Sequence, residues 1–395
     1  MQKTILNPAA ARALVPRLAS ARNRNVWVYR YVHPNGWRLS IATHAEPGSN
    51  KLSLGGFRIA PEERTSVSGF DSDVEAIELA IGMEAKVHWS RMIGVGGPLA
   101  RRDIRRIVGG KCVLQPSPDA RVGQPRDLEL LDFAAACLAD CDKSADIRIT
   151  TGQDLGHGVM SDGYTQSLQY LHTRFRGSMV ADTSKPTGEG NYHVLLGMLR
   201  AFGVAPADAT IGLIGAGNIG MHIIDRLHPL GARMTVVEMR SERLDKLRQR
   251  GISTRWPEEK PSFLAQPMDA LVVNASGGSL GPDSIRACVA NRRLNVVCGS
   301  ENLAVPHPPD ADILRAARKA FCPTEIAGMM GYLTAVEAYL AELEGMPFDL
   351  RTMLEAAAHL ARPAYDATKY MMDNDFGVGF EQAIEAITSS QSRTH

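Results

Sequence analysis

The first half of the chain alternates short apolar runs with polar turns, a pattern typical of strands and amphipathic helices. Strands are predicted over four apolar runs, at residues 26–31, 37–43, 52–60 and 112–114. A helix is predicted from Asp71, because apolar residues follow it at three- and four-residue intervals, and another has Pro125 in its first turn. Residues 93–106 show no such period and predict an irregular, basic segment.

The second half alternates strands and helices in a regular order. An apolar strand at residues 211–214 leads into a glycine turn and a helix, and a second strand follows at 234–237. A helix is predicted over 241–250, and further strands over 270–273, 294–297 and 320–321. This alternation predicts a parallel sheet with right-handed crossover connections.

Two segments flank this alternating half. Residues 182–191 are rich in Gly, Thr and Ser, and we interpret them as a hinge loop before a helix over 192–202. Residues 353–370 form an amphipathic helical pattern, and we expect this tail to pack back onto the first domain. With 395 residues, the chain is predicted to be an α/β protein of two domains.

The glycine turn suggests a specific ligand. Gly215 permits a tight turn, Gly217 lets backbone N–H groups approach a pyrophosphate, and Gly220 lets the helix pack on the strand. The phosphates would lie at the N-terminus of the helix, where unpaired N–H groups and the helix dipole favour negative charge. Glu238 ends the next strand and is placed to accept hydrogen bonds from the adenosine ribose. The residues predicted to bind the dinucleotide are Gly215, Gly217, Asn218, Ile219, Gly220, Glu238, Ala275, Ser276 and Asn302.

Composition narrows the functional classes further. A net charge of +1 gives no basic excess for nucleic acid, and no apolar run is long enough to span a membrane. The N-terminal segment lacks the continuous apolar core of a signal peptide. The six cysteines form no Cys-x-x-Cys pair and the histidines show no metal-binding spacing, so we predict no metal site and a reducing, cytoplasmic compartment.

Two lysines and an aspartate are candidate polar groups of a site. Lys86 lies on the last turns of the helix that starts at Asp71, where a solvated lysine that complements the helix dipole is the ordinary explanation. Lys111 follows two glycines and opens onto a strand, a position that suits a cleft but also arises by chance in loops. Asp154 follows a predicted strand beside two glycines, where catalytic and helix-capping acids are both common. Spacing alone does not decide between these uses.

Seven short motifs occur together in one order along the chain. They are Leu54-Gly55-Gly56-Phe57-Arg58, Gly82-Met83 with Lys86, Gly109-Gly110-Lys111, Asp154-Leu155-Gly156, Gly197-Met198, the glycine turn, and Gly299-Ser300-Glu301-Asn302. Their order and approximate spacing resemble the glutamate/leucine/phenylalanine/valine dehydrogenase superfamily, and the leucine and phenylalanine dehydrogenases most. The resemblance implies an N-terminal α/β substrate-binding and oligomerisation domain over residues 1–180, onto which helices of 345–395 pack, and a Rossmann-type NAD(P)-binding domain over 181–344.

The resemblance also implies a reaction, the reversible oxidative deamination of an L-amino acid to a 2-oxo acid and ammonium. Lys86 would hold the substrate carboxylate, and Lys111 would activate water or polarise the carbonyl. Asp154 would hold the amino group and exchange protons with it, and Asn302 would line the nicotinamide and substrate cleft. The implied substrate-binding residues are Lys86, Gly55, Gly56, Asn302 and Tyr332. A homo-oligomer, dimeric or larger, is implied as well.

This chemistry requires a lysine with a perturbed pKa. A free lysine, with a pKa of about 10.4, is too basic to exchange protons near neutral pH. Desolvation and the positive charge of Lys86 would both lower the pKa of Lys111. The two lysines would in turn keep Asp154 ionised.

Two departures from the family's pattern bear on the site. A longer segment than in the family separates Lys86 from Lys111, and a gap-free alignment would put Pro98 where the family has its catalytic lysine. That alternative describes a nucleotide-binding protein that has lost catalysis. Gly328 stands where the family has asparagine, and Tyr332 occupies an apolar pocket position, so we expect an unusual or bulky substrate side chain.

The cofactor prediction depends on Glu238. A carboxylate at this position favours NAD, because it repels the 2′-phosphate of NADP. Arg240 and Arg243 stand close enough to hold that phosphate if Glu238 turns away, so NADP is the less favoured alternative. A further alternative keeps the cofactor but makes the protein a biosynthetic imine or 2-oxo acid reductase.

Overall fold

The computed structural model of the chain describes residues 1–391, which divide into two units. The first unit contains Met1–His88, Gly97–Thr183 and Tyr332–Phe348, and the second contains Trp89–Gly96, Ser184–Gly331 and the chain from Asp349 onward. Each unit has its own six-stranded sheet. The predicted α/β fold class is therefore confirmed.

The sheet of the first unit mixes antiparallel and parallel pairing. Its strands are β1 (Gln2–Leu6), β2 (Trp27–Val32), β3 (Arg38–Thr43), β4 (Leu52–Ile59), β5 (Ile107–Gln115) and β6 (Arg148–Gln153). Their order is β1-β2-β3-β5-β4-β6, with antiparallel pairs from β1 to β5 and parallel pairs on both sides of β4. Because β4, β5 and β6 run in the same direction, residues of equal register lie side by side.

Six helices belong wholly or mainly to this unit. They are α1 (Pro8–Leu14), α2 (Glu62–Thr65), α3 (Ser72–Ile93), α4 (Pro98–Asp103), α5 (Asp127–Ala145) and α6 (Ser167–Arg174). Leu130, Leu131 and Leu138 of α5 are fully buried in one core with Trp37 and Phe57 of the sheet region. Full burial of one such side chain contributes about 1.5–3 kcal/mol, so this core holds α5 to the sheet.

The sheet of the second unit is entirely parallel. Its strands are β7 (Thr210–Ile214), β8 (Arg233–Val237), β9 (Ser253–Arg255), β10 (Ala270–Val273), β11 (Val296–Gly299) and β12 (Ala320–Phe321). Their order is β12-β11-β10-β7-β8-β9, so the chain extends in both directions from β7. In such a doubly wound sheet, ligands bind at the carboxyl ends of the strands, beside the point where the order reverses.

Helices α7 to α17 complete the described chain. They are α7 (Ser184–Ala201), α8 (Asn218–Leu227), α9 (Ser241–Gln249), α10 (Lys260–Leu264), α11 (Pro282–Ala290), α12 (Ala311–Ala316), α13 (Thr324–Ala327), α14 (Met330–Leu343), α15 (Leu350–Ala358), α16 (Ala361–Asp373) and α17 (Phe380–Gln391). All but α14 lie in the second unit, whereas α14 lies mainly in the first.

The hinge loop predicted over residues 182–191 is wrong, because α7 begins at Ser184. Pro186 stands in the first helical turn, where its missing N–H group is not needed. A Cβ atom on Gly190 would lie 2.7 Å from the Met330 side chain, so this glycine permits a close helix contact. The small residues of the segment therefore serve packing rather than flexibility.

The C-terminal helices also differ from expectation. The sequence predicts that they pack onto the first domain, but α15 and α16 lie against α7 of the second unit. A Cβ atom on Gly197 would overlap the backbone oxygen of Ala361, so α7 and α16 touch along their backbones. Glycine on one helix and alanines on the other allow this approach, a feature that amphipathicity alone does not reveal.

Residues 93–106 are more regular than the sequence predicts, since they include α4. Pro98 is the first residue of this helix. The carboxylate of Glu337, on α14, accepts hydrogen bonds from the backbone N–H groups of Leu99 (3.1 Å) and Ala100 (2.8 Å). Because helix N-termini expose unpaired N–H groups, this carboxylate stabilises α4.

The sequence expectations about membrane helices, metal sites and cysteines can be compared with the structure. Within residues 1–391, no helix is long and apolar enough to cross a membrane. Nor does this part of the chain group three His, Cys, Asp or Glu side chains so that they could hold a metal ion. All six cysteines are buried and unpaired.

Candidate active site and dinucleotide site

Lys111 and Asp154 meet on the first sheet. In its register, Phe57 of β4 pairs with Cys112 of β5 and with Gln153 of β6. Lys111 therefore lies one residue before this row, and Asp154 lies one residue after it. The Nζ atom of Lys111 donates a hydrogen bond to Oδ2 of Asp154. The structure thus brings together the two residues predicted to be catalytic, which we call the Lys111–Asp154 pair.

Gly56 leaves the space in which this pair lies. A Cβ atom on Gly56 would be 2.7 Å from Nζ of Lys111 and 3.1 Å from Cβ of Asp154. Any side chain at position 56 would overlap with the side chain of Lys111. Gly55 plays a different part, because its Cβ would overlap the backbone oxygen of Gly110. Of the two predicted glycines, Gly56 is the one that faces the pair.

Arg58 extends the pair into a buried network of four charges. It lies two residues after Gly56 in β4, and therefore on the same face of the sheet. Its Nε atom donates to Oδ2 of Asp154 at 3.1 Å, and its Nη1 atom donates to Oε1 of Glu75, on α3, at 2.5 Å. The side chains of Arg58, Glu75 and Lys111 are 3%, 4% and 3% exposed. Two cations thus balance two anions in the interior, as buried charges require.

This network perturbs both groups of the pair. Burial alone would raise the pKa of Asp154, but the charges of Arg58 and Lys111 hold it well below the usual carboxyl range. Burial lowers the pKa of Lys111; Arg58 lowers it further, while Asp154 acts in the opposite direction. The site therefore combines a permanent carboxylate with an amine that releases its proton more readily than a free lysine does.

His157 supports the chain that follows Asp154. Its Nε2 atom lies 2.9 Å from the backbone oxygen of Phe57, which can only accept a hydrogen bond, so Nε2 carries the proton. Its Nδ1 atom then accepts a hydrogen bond from Oγ of Ser167 at 3.0 Å. Burial lowers the pKa of His157 and keeps the ring neutral. These contacts make His157 a residue that fixes the end of β6.

The remaining predicted substrate residues lie in different parts of the fold. Lys86 is on α3, about three helical turns after Glu75, and its side chain is buried. Tyr332 is on α14 and is also buried. Asn302 follows β11. Lys86 and Tyr332 therefore share a unit with the Lys111–Asp154 pair, whereas Asn302 belongs to the unit of the glycine turn.

The glycine turn connects β7 to α8. A Cβ atom on Gly220 would overlap the backbone oxygen of Gly215, so the helix approaches the turn as closely as the motif predicts. A Cβ atom on Gly217 would meet only Nη1 of Arg243 within 4 Å, at 3.6 Å. The turn is therefore closed where helix and strand pack, and open at its second glycine.

The first residues of α8 are Asn218 and Ile219. The N–H groups of the first helical turn have no partners within the helix, so they are available to an anion. Together with the open side of Gly217, they form a cradle that suits the pyrophosphate of a dinucleotide. The residues present thus fit the predicted cofactor.

Backbone N–H groups hold the carboxylate of Glu238 beside this cradle. Its Oε2 atom accepts from the N–H of Ala216 at 2.8 Å, and its Oε1 atom accepts from those of Met239 and Arg240 at 2.9 and 3.0 Å. Nη1 of Arg243 lies 3.9 Å from Oε2. Glu238 is therefore fixed in position, with one arginine guanidinium close by.

A second buried acid, Glu189, ties α7 to α8. Its oxygens lie 3.1 Å from Nε2 of His193, 2.7 Å from Nε2 of His222 and 3.1 Å from Nη2 of Arg226. Burial would raise the pKa of Glu189, but the two histidine hydrogen bonds and the arginine charge bring it to about 2. The acid therefore stabilises the packing of α8 as an anion.

The loop after β10 contains Ala275 and Ser276, which are both exposed. The buried carboxylate of Glu301 holds this loop, since it accepts from the N–H groups of Ala275 (2.9 Å) and Ser279 (2.8 Å). Nζ of Lys260 donates to the backbone oxygen of Ser279 at 2.5 Å. Two charged side chains thus shape a loop at the ligand-binding edge of the sheet.

The sequence analysis included Arg58 and Glu301 in its motifs but gave neither a role in the site, and it did not name Glu75. Strand alternation could have found Arg58, because it places the guanidinium on the face of Gly56. Glu75 and Glu301 had no comparable signal, because their contacts join distant segments or involve backbone groups.

No protein-family model matches the chain. Among curated proteins, it is similar to valine dehydrogenases from Streptomyces. The enzyme of Streptomyces coelicolor is 25% identical over 325 residues, which make up 80% of this chain and 78% of that protein. The enzyme of Streptomyces albus is 25% identical over 320 residues, with the same two coverages.

Solved structures share the fold over almost the whole chain. L-tryptophan dehydrogenase from Nostoc punctiforme has a TM-score of 0.61 at 17% identity, covering 93% of this chain and 95% of that one. The hetero-hexameric glutamate dehydrogenase from Thermus thermophilus, in its leucine-bound form, has a TM-score of 0.64 at 15% identity, covering 99% and 88%. At these identities, the comparison establishes the fold.

Two independent comparisons therefore agree with the motifs. The curated relatives match in sequence over four fifths of the chain, and the solved structures match in fold over more than nine tenths. Each named relative is an amino acid dehydrogenase. The chain is therefore similar in sequence to curated valine dehydrogenases and shares its fold with tryptophan and glutamate dehydrogenases, in agreement with the resemblance to the glutamate/leucine/phenylalanine/valine dehydrogenase superfamily.

Proposed function

We propose that the chain is an NAD-dependent L-amino acid dehydrogenase, which converts an L-amino acid reversibly to a 2-oxo acid and ammonium. The superfamily and its named members support this class of reaction. The observation that carries the proposal is the buried Lys111–Asp154 pair beside Gly56 and Arg58. The relatives do not favour the alternatives, a biosynthetic imine or 2-oxo acid reductase and a catalytically disabled homologue.

We assign the catalytic lysine to Lys111 and not to the position of Pro98. Pro98 opens α4, whose N-terminal N–H groups bond to Glu337. Lys111 donates to Asp154 from the middle of β5. These contacts support the longer spacing between the two family lysines, with α4 as an inserted helix.

Charged groups of the first unit hold the substrate. Lys86 binds the amino acid carboxylate, as the family resemblance implies. Asp154 accepts hydrogen bonds from the substrate amino group, because Arg58 and Lys111 keep that carboxyl ionised. Because the Asp154 carboxylate is stabilised so strongly, it is a poor proton acceptor near neutral pH. We therefore assign Asp154 to orienting the amino group, and proton exchange to Lys111.

Lys111 moves the protons of the reaction. The substrate reacts as its neutral amine, after its third amino proton has passed to solvent, and the dinucleotide, when bound, would supply the acceptor for the hydride of Cα. The substrate is then an iminium ion, and neutral Lys111 takes a proton from water as the water oxygen bonds to Cα. Lys111 returns that proton to the nitrogen and takes the hydroxyl proton as the C–N bond breaks. It then passes this proton to the released ammonia, which yields ammonium and the 2-oxo acid and leaves Lys111 neutral. The lowered pKa of Lys111 suits this alternation.

NAD is the cofactor that we propose. Three backbone N–H groups hold the carboxylate of Glu238 beside the glycine turn. A fixed carboxylate there accepts hydrogen bonds from the ribose hydroxyls and repels a 2′-phosphate. Binding of NADP would require Glu238 to leave these bonds, so that Arg240 and Arg243 could reach the phosphate.

The substrate that we propose has a bulky or otherwise unusual side chain. A Cβ atom on Gly328 would lie 3.1 Å from Cβ of Ser300, so the position cannot carry the family's asparagine without displacing its neighbour. Tyr332 adds a buried aromatic ring. The named relatives act on valine, tryptophan and glutamate, so the trial substrates must include all three classes.

We further propose a homo-oligomer that works in the cytoplasm. The family resemblance supports the assembly, and the T. thermophilus glutamate dehydrogenase is described as a hetero-hexamer. Unpaired thiols at all six cysteines suit a reducing compartment.

The direct test is NADH formation by the purified chain with a panel of L-amino acids. The reverse assay uses the matching 2-oxo acids with ammonium. We expect turnover with one class of side chain, and a loss of about 10²–10⁴-fold in Lys111→Ala, the usual effect of removing a general acid–base group. Lys143→Ala, which removes an exposed lysine of the same unit, is the matched control and should keep full activity.

NADH binding, measured by fluorescence, separates the possible outcomes. Unchanged binding with lost turnover in Lys111→Ala supports the assigned role. Unchanged turnover in that variant would reject Lys111 as the catalytic lysine. Silence of the wild-type chain over the whole panel, with NADH binding intact, would reject amino acid oxidation in favour of a different substrate class.

A further inference from the structure

Two asparagines and a serine meet at the carboxyl edge of the second sheet. Asn274 directly follows β10, Ser300 directly follows β11, and Asn191 lies on α7. The Oδ1 atom of Asn274 accepts three hydrogen bonds, from the backbone N–H and Oγ of Ser300 at 3.0 and 2.7 Å and from Nδ2 of Asn191 at 3.0 Å. We call these three residues the amide cluster.

The orientation of both amides in the cluster is determined by one backbone group. A backbone N–H can only donate, so the atom of Asn274 that faces Ser300 must be its oxygen. That oxygen can accept from Asn191 only if Asn191 presents its NH₂ group. The nitrogen of Asn274 and the oxygen of Asn191 are therefore the atoms left over.

Both leftover atoms are buried, and neither has a hydrogen-bond partner in the described chain. Leaving a buried polar atom unpaired costs about 1–3 kcal/mol, so native proteins rarely tolerate it without a reason. The two atoms form a matched set, because Asn274 offers a donor and Asn191 offers an acceptor. A ligand group that satisfies both must offer one acceptor and one donor.

The sheet order indicates which end of a dinucleotide this edge receives. Glu238 follows β8, on one side of β7, and Asn274 follows β10, on the other side. The glycine turn after β7 lies between them, and a Cβ atom on Gly215 would be 2.8 Å from the backbone oxygen of Asn274. With the adenosine ribose at Glu238 and the pyrophosphate at the turn, the nicotinamide half extends toward β10 and β11.

We propose that Asn191 and Asn274 recognise the carboxamide of the nicotinamide ring. Nδ2 of Asn274 donates to the carboxamide oxygen, and Oδ1 of Asn191 accepts from its NH₂ group. This inference rests on the dinucleotide site of the proposed function and deepens it. A phosphate cannot fill the same position, because it only accepts and would leave Asn191 unpaired.

Two glycines follow Asn274 within four residues of the chain. Gly277 and Gly278 have φ angles of +131° and +75°, in the region that favours glycine. On this proposal a backbone change at these glycines opens the Asn274 amide nitrogen to the ligand, while the bonds from Ser300 hold its oxygen. Binding then replaces a desolvated, unpaired state by two hydrogen bonds.

The test compares two ligands that share the adenosine and pyrophosphate but differ at the carboxamide. NADH carries it, whereas ADP-ribose lacks the whole nicotinamide ring. We expect Asn274→Asp, which keeps the acceptor but removes the donor, to weaken NADH about 10–100-fold, the equivalent of about 1.4–2.8 kcal/mol. Asn191→Leu should weaken it to a similar degree, while ADP-ribose affinity stays within about twofold in both variants.

A second ligand pair and a control variant sharpen the result. Nicotinic acid adenine dinucleotide has a carboxylate in place of the carboxamide and offers Asn191 no donor, so the wild-type chain should bind it more weakly than NAD. Asn191→Leu should remove most of that difference. Arg286→Ala, which removes an exposed side chain from α11 of the same unit, is the control and should leave the NADH to ADP-ribose ratio unchanged.

Calorimetric affinities distinguish the possible failures. If both asparagine variants keep the wild-type ratio of NADH to ADP-ribose affinity, the inference is overturned while the dinucleotide site stands. If the wild-type chain fails to bind ADP-ribose, the dinucleotide site of the proposed function is rejected, and the inference with it. Retained ADP-ribose binding also shows that a variant is folded.

Discussion

Replacing Arg58 by Gln tests the electrostatic design of the active site. In the wild-type structure the Arg58 guanidinium donates to Asp154 at 3.1 Å and to Glu75 at 2.5 Å, and its side chain is 3% exposed. The substitution leaves Glu75 buried, and its remaining ion-pair partner in the described part of the chain is the partly exposed Arg64, 3.3 Å away. It also removes the second positive charge beside Lys111.

The expected loss of stability follows from these contacts. Opposite charges about 4 Å apart attract by about 4 kcal/mol at an effective dielectric constant of about 20. Removing one partner from a buried ion pair costs about 3–5 kcal/mol net, because the other charge stays behind unpaired. In a unit of this size, each kcal/mol lowers the melting temperature by about 2–4 °C, so the first unit should melt about 6–20 °C lower.

The catalytic effect has a definite sign. Burial and Arg58 lower the pKa of Lys111, whereas Asp154 raises it. Without Arg58 the pKa of Lys111 rises, since burial and Asp154 remain. The amine is then neutral only at higher pH, so the acid limb of kcat/KM for amino acid oxidation should move to higher pH. The buried thiol of Cys112 and the neutral ring of His157 also lie near Lys111 but are unchanged by the substitution.

The pH profile distinguishes this role from a merely structural one. Arg58→Lys keeps a positive charge and should return the acid limb most of the way to its wild-type position. A uniform fall in rate at every pH, with the limb of Arg58→Gln unmoved, would refute the reasoning and leave Arg58 as a structural residue only. Measurements below the melting temperature of the variant keep unfolding out of the comparison.

Three further substitutions test other contacts. Gly56→Ala should displace the Lys111 side chain, because Nζ would lie 2.7 Å from the new Cβ. The variant should have a kcat reduced at least about tenfold and an unchanged NADH affinity. A wild-type kcat would contradict the position of Lys111 beside Gly56 in the active site. Glu238→Ser removes the carboxylate but keeps the nearby arginines, so the ratio of kcat/KM for NADP to that for NAD should rise, and an unchanged ratio would argue against discrimination by Glu238. Glu189 has a pKa of about 2, so it stabilises the fold above about pH 4.5 and loses this effect as pH falls toward 2. The unfolding free-energy difference between wild type and Glu189→Gln, from urea titrations, should therefore shrink over that interval, and a constant difference would contradict the assignment.

Local patterns predicted the second unit well. The motif from Gly215 to Gly220 depends on residues close in sequence, and the structure realises its close approach of helix and strand. The position of Glu238 at the end of β8 follows from the same short segment. Alternating strands and helices then leave few possible topologies for a parallel sheet.

Contacts between distant segments explain what the sequence did not reveal. Glu337 caps α4 at Leu99 from 238 positions away in the chain, so the segment that contains Pro98 looks irregular by itself. Gly190 lies in a segment that looks like a flexible link, yet in the structure it allows a close contact of α7, as Gly197 does further along the helix. Glycine composition alone cannot separate these uses, because both need a residue without a side chain.

The position of Lys111 shows why counting residues between motifs is a weaker guide than strand register. In β5, Lys111 pairs with Ala42 of β3, and Cys112 pairs with Phe57 of β4, so its neighbours on both sides determine its position in the sheet. An insertion before β5 lengthens the connection from α3 but does not change these pairings. The added length forms α4, which Glu337 holds. The gap-free alignment keeps the family's spacing from Lys86, but it assigns the catalytic position to Pro98, the first residue of α4. The strand register instead places Lys111 next to Asp154.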